Sequence, residues 1–198
     1  MRRAHGHGEL RLMKWIRRVA VALAGAVLIG ALAGCASSPG GGPARLGSVA
    51  GIALPIAARV AVQVDPSMPD TQTVEFRGES WQYDDANLMQ EAAMRVFGQV
   101  FQEVGTGPTM GAPTLTLQLN GSSSLNPVMN EYFANATVTV FAGANTDVQP
   151  IASFAGTGQA GQADFGRGGI EQAYEGAFRQ AAELLLMDPH LIASVRGY

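Results

Sequence analysis

A single cysteine, Cys35, stands among the 198 residues, so no intramolecular disulfide can brace the fold. Lysine is as scarce: Lys14 is the only one, and it lies before Cys35. Six of the 13 basic residues (Arg2, Arg3, Arg11, Lys14, Arg17 and Arg18) precede Cys35, with Glu9 the only acid there. Beyond Cys35, seven arginines face fifteen acids, a net of −8 that the whole-chain value of −3 conceals. A chain so acidic lacks the basic footprint that nucleic-acid phosphates require, so no nucleic-acid partner is expected. The same sign disfavours attachment to anionic lipid through charge alone. Histidine is also sparse. After Cys35 only His190 remains, short of the three or four ligands of a zinc site.

Long hydrophobic runs are missing too, with one informative exception. Val19 to Leu32 gives about fourteen apolar or small residues, below the roughly 20 that a spanning helix needs. Arg17 and Arg18 stand before it, and a charged start followed by a short apolar stretch describes a secretory signal over residues 1–34. Met13-Lys14-Trp15 makes a more typical signal start than Met1, which leaves two candidate start sites. Leu32-Ala33-Gly34-Cys35 resembles the bacterial lipobox. That resemblance implies cleavage before Cys35, diacylglycerol on its sulfur and acylation of the new amino terminus. Several acyl chains together anchor durably where one does not. Ala36 in place of aspartate resembles the outer-membrane sorting signal of Gram-negative lipoproteins, implying a lipid-anchored protein on the periplasmic face of that membrane.

Residues 35–58 are rich in Ser, Gly, Pro and Ala and read as a flexible tether from the lipidated cysteine. Residues 59–198 then read as one α+β domain. Arg59 to Val64 alternates as a first strand, and Thr73 to Phe76 is a shorter one. Asn87 to Val104 has helical spacing through Leu88, Ala92, Val96, Val100 and Val104. Asp84, Asp85 or Asn87 can cap its start, and Gly105 ends it. Thr114 to Asn120, Tyr132 to Phe141 and Gln149 to Thr157 follow as strands, with a hairpin turn at Gly143 to Asp147. Ile170 to Leu185 is a second helix, closed by Asp188-Pro189. This order predicts an antiparallel sheet with two amphipathic helices packed on one face.

No catalytic constellation or cofactor emerges. Gly156-Thr157-Gly158-Gln159-Ala160-Gly161 fits the G-x-G-x-x-G pattern, but no helix follows at once, so it reads as a loop leaving a strand. His190 has no G-x-S-x-G elbow beside it and reads as a solvated histidine. Asp84 with Asp85 and Glu75 with Glu79 are the paired carboxylates; the first pair is expected at a helix start for dipole reasons. Met89, Met94, Phe97, Phe101, Tyr174, Phe178 and Met187 read mainly as core. Met94 and Phe141 sit off the apolar stripes and, if exposed, would form a partner patch.

With lipobox, tether and element order in place, the chain resembles small Gram-negative outer-membrane lipoproteins of the YajG type. It is also similar to a broader group of transporter-auxiliary lipoproteins that includes the lipopolysaccharide-assembly lipoprotein LptE. In the first group a helix, strands, a Gly-rich stretch and a second helix follow one another, as here from Asp84 to Val195. The resemblance implies a non-enzymatic envelope protein and carries over no functional residue except Cys35. The net of −8 speaks against the lipopolysaccharide-binding member. Three functions stay open: a binding or scaffold module for an envelope protein partner, a carrier of lipid or another apolar ligand beside a transporter, and an envelope hydrolase, in that order.

Overall fold

Alternation along the first strand sets the layout. In the computed structural model, which describes residues 54–76, 78–161 and 167–196, β1 (Ile56–Val64) buries Ile56, Ala58, Val60 and Val62 and turns Ala57 and Arg59 outward. Its start lies three residues before Arg59, inside the segment read as tether, and Leu54 already packs against the core.

β2 (Thr71–Phe76) and β3 (Glu79–Asp84) form a separate antiparallel hairpin. β3 has no clean alternation and was not predicted; Gly78, at φ +83°, supplies the left-handed residue of its turn. The helix α1 (Asp85–Val100) starts where Asp84 Oδ1 accepts the Asn87 backbone N–H at 2.8 Å. It ends four residues earlier than its spacing suggests. Phe101 is extended, and β4 (Phe101–Thr106) runs parallel to β1. Val100 and Val104 fit either period, and pairing with β1 decides for strand.

β5 (Leu115–Asn126) is parallel to β1, while β6 (Glu131–Ala142) and β7 (Ala152–Gly161) continue antiparallel. The sheet order is β4-β1-β5-β6-β7, so the sheet is mixed rather than antiparallel as expected. The reason is two crossovers: α1 carries the chain back so that β4 runs beside β1 in its own direction, and residues 107–114 then cross to the other side of β1 and start β5 the same way. The α+β class itself holds, with α1 and α2 (Arg167–Met187) on one face of the sheet. A short α3 (Pro189–Arg196) follows; Asp188 Oδ1 accepts from the backbone N–H of His190 and Leu191, so Asp188-Pro189 starts a helix as well as ending one.

The core between helices and sheet is apolar and aromatic. Phe97 meets Phe178 edge-on at 6.0 Å between centroids, and Tyr174 stacks on Phe178 at 6.2 Å. Met89, Phe97, Phe101, Tyr174 and Phe178 are buried as expected, whereas Met187 is 62% exposed. Across the helix pair, Arg95 bridges Glu171 and Glu175, and Arg167 bridges Glu91.

The run from Gly156 to Gly161 is strand, not loop. Its inward positions are Gly156, Gly158 and Ala160, so no apolar alternation announces it. A Cβ on Gly158 would collide with the Ala173 carbonyl oxygen, and one on Gly156 with that of Ala177. The glycines are there so that α2 can lie directly on the strand backbone.

Candidate functional site

Two features outside the apolar core stand out: a buried carboxylate at the base of the β2–β3 hairpin, and the open edge of β7.

Asp85 opens α1 and is fully buried. Its Oδ1 accepts from Ser123 Oγ at 2.7 Å, and its Oδ2 accepts from the Tyr174 hydroxyl at 2.8 Å and Gln72 Nε2 at 3.0 Å. The Tyr83 hydroxyl lies 3.0 Å from Ser123 Oγ and 3.3 Å from Gln72 Oε1. Simple local rules converge these groups. The Asp84 cap sets Asp85 in the first helical turn, and Gln72 and Tyr83 are cross-strand partners in the hairpin. Ser123 continues the inward series Leu115, Leu117, Leu119 on β5, and Tyr174 belongs to the buried stripe of α2. Burial pushes the Asp85 carboxyl above the usual carboxylate range, against the pull of the Ser123 and Tyr174 hydrogen bonds. Burial also raises both tyrosines, and the neighbouring Asp85 carboxylate adds to it.

The two acids read as one pair therefore separate: Asp84 caps the helix and Asp85 holds the network. Ser123, Tyr174, Gln72 and Tyr83 were not singled out as partners of Asp85. The available signal was a polar residue in an inward position of an apolar pattern, as at Ser123. Glu75 pairs with Ser80 and Glu79 with Phe76, so the two glutamates are not partners in the hairpin register.

β7 forms one edge of the five-stranded sheet. The register with β6 is continuous from Ala152 to Gly161, and the Thr157 N–H points away from β6 to Gln180 Oε1 at 2.7 Å. Alternation then directs the N–H and C=O of Ser153, Ala155, Gln159 and Gly161 to the same free side. All five residues are exposed, and β7 contains no charged residue and no proline. Natural edges are usually blunted by such residues. The opposite edge, β4, is shorter and carries Glu103, ion-paired with Arg59 at 2.9 Å.

Leu32, Ala33, Gly34 and Cys35 lie outside the described residues. The proposed patch is not exposed. Phe141 is 4% exposed, and Met94 is half-buried against the core. Phe141 stays buried on the face away from the helices because Thr116, and next to it Ala61, flank it in register, and both are buried. Large apolar side chains are instead exposed at the β5–β6 turn (Val128, Met129) and at Val148, Ile151, Leu184 and Met187. His190 is exposed. Among the described residues no three His, Cys, Asp or Glu side chains gather as a metal site, and no helix is long and apolar enough to cross a membrane. A groove between α1 and α2 is lined by Arg95, Gln99, Glu171, Glu175 and Arg179, a charged lining unsuited to an apolar ligand.

The architecture is α+β, and its likeness to solved structures is distant. XCC0632 of Xanthomonas campestris, from the family DUF330, matches 72% of this chain and 88% of its own at 13% identity and a TM-score of 0.42. A candidate lipoprotein from Caulobacter crescentus CB15 matches 70% of this chain and 90% of its own at 12% identity and a TM-score of 0.35. Neither likeness is close enough to carry an argument about what this chain does. No protein-family model and no curated protein matches the sequence.

Proposed function

We propose that this protein is a non-enzymatic lipoprotein, anchored through Cys35 to the periplasmic face of the outer membrane, that docks an envelope protein along β7. The anchor rests on the signal and lipobox sequence from Arg17 to Cys35. The docking reading rests on one observation: an exposed, ten-residue, charge-free strand edge in a chain that is otherwise acidic. An extended segment of the partner adds to that edge as a further strand. Main-chain hydrogen bonds give the affinity, and the small side chains of Ser153, Ala155 and Thr157 leave room for the incoming chain. A partner strand without acidic residues suits the surrounding negative charge.

Photo-crosslinking groups placed at Ala155, Thr157 and Gln159 of the full chain in cells test this, with Gln118 and Asn135 on the open sheet face as controls. The expected result is one adduct of defined mass from the β7 positions, lost when Gln159→Pro removes an outward N–H. Adducts of equal yield from β7 and the open face, or none from β7, contradict the reading. An adduct of twice the chain mass identifies the occupant as a second copy, and overturns the proposal of a different envelope protein.

A further inference from the structure

The network at the hairpin base contains one more oxygen–oxygen contact than its hydroxyls have protons. Four such contacts are present: Ser123 to Asp85, Tyr83 to Ser123, Tyr83 to Gln72, and Tyr174 to Asp85. Each needs a hydrogen between the two oxygens, and the hydroxyls of Ser123, Tyr83 and Tyr174 bring three. The missing fourth is the proton of a neutral Asp85.

We propose that Asp85 is a proton-operated latch, which in its protonated form closes a ring of hydrogen bonds that holds the β2–β3 hairpin to the domain. In that form Asp85 Oδ1 donates to Ser123 Oγ, Ser123 to the Tyr83 hydroxyl, and Tyr83 to Gln72 Oε1. Gln72 Nε2 donates back to Asp85 Oδ2, which closes the ring, while Tyr174 donates to the same Oδ2. When the proton leaves, Ser123 must donate to Oδ1. The single Tyr83 proton is then shared between Ser123 on the domain and Gln72 within the hairpin, so the ring loses one bond and the Tyr83–Ser123 link to the domain is broken whenever Tyr83 turns to Gln72.

Burial and the like charge of Asp84 on β3 favour the proton, while the hydrogen bonds from Ser123 on β5 and Tyr174 on α2 pull the other way. Tyr132 on β6 faces the site through Tyr83. Among the described residues no arginine bonds to Asp85. The α1 amino terminus also opposes the proton through its dipole, and burial leads the influences that shift the carboxyl upward. Both hairpin members of the ring, Gln72 and Tyr83, sit at its base. Beyond that pair the register continues through Val74 with Trp81 and Phe76 with Glu79. The latch thus governs how firmly the hairpin that carries Trp81 is held.

The sequence supplies a reporter. Trp15 and Trp81 are the only tryptophans, so in the full chain carrying Trp15→Phe the hairpin residue is the sole tryptophan and can be excited apart from the tyrosines. Trp81 emission, and amide exchange over Thr71 to Asp84, are followed from acid to mildly alkaline pH. The expected wild-type result is one single-proton transition, with amide protection, taken relative to the intrinsic exchange rate at each pH, about tenfold lower on its alkaline side, the loss expected for about one hydrogen bond. Asp85→Asn keeps the ring, its Nδ2 donating to Ser123 Oγ, and should show slow exchange and no transition. Tyr83→Phe cuts the ring and should exchange fast at every pH. A wild type without a transition, or the same transition in Asp85→Asn, overturns the proposal.

Discussion

α2 meets the rest of the fold in two contrasting ways. Against β7 it presents backbone: the Ala173 and Ala177 carbonyls lie over Gly158 and Gly156, with no side chain between. At the hairpin base it presents one hydroxyl, that of Tyr174, to a buried carboxylate. The first contact is steric and the same at every pH. The second is polar, and its bonding changes with one proton. A close-packed layer fixes where the strand edge stands, while a wired joint can loosen without disturbing that layer.

The sharpest way to break the steric side is Gly158→Ala. Its Cβ meets backbone that cannot rotate away, so a loss of about 3 kcal/mol is expected in urea denaturation. Gly161→Ala, in the same motif but with open space around it, should leave the midpoint unchanged. Next in size is Asp85→Ala, which strands the Ser123, Tyr174 and Gln72 donors; about 2 kcal/mol should be lost near neutral pH.

Asp85→Asn sharpens the polar side. The folded carboxyl titrates above its unfolded value of about 3.9. The stability it contributes is therefore fully present below that unfolded value and falls away as pH rises through the folded one. Denaturation across this window should slope downward in the wild type and be flatter in Asp85→Asn, with the two curves diverging toward high pH. The smallest effect belongs to Arg95→Ala, which removes exposed bridges to Glu171 and Glu175; about 0.5 kcal/mol or less is expected, shrinking further in salt.

The contrast also explains what the sequence could announce. β1, the first half of β5, β6 and most of α1 and α2 bury alternating or helically spaced apolar side chains, and their patterns were legible; β5 runs on to Asn126, past the Asn120 where its alternation stops. β7 was cut short and its second half read as loop because its buried positions are glycine and alanine. A strand that packs by backbone leaves no hydrophobic signal. The parallel pairing of β4 was hidden because Val100 and Val104 satisfy both periods. The Asp85 network was half visible: an acid at a helix start is ordinary, and only the meeting of Ser123, Tyr174, Gln72 and Tyr83 gives it another role. Ser123 and Tyr174 are 38 and 89 residues from Asp85, and strand pairing together with the packing of α2 unites them. Phe141 failed as a patch because a residue on the outer sheet face can still be covered by its neighbours.

Residue-resolved amide exchange along β7 tests the docking edge most directly. In the purified protein the outward amides of Ser153, Ala155 and Gln159 should exchange fast, Thr157 more slowly behind Gln180, and Phe154, Gly156 and Gly158 slowest through their bonds to β6. In native envelope membranes the outward set should become protected. Outward amides that exchange equally fast in both settings would contradict a docked β7.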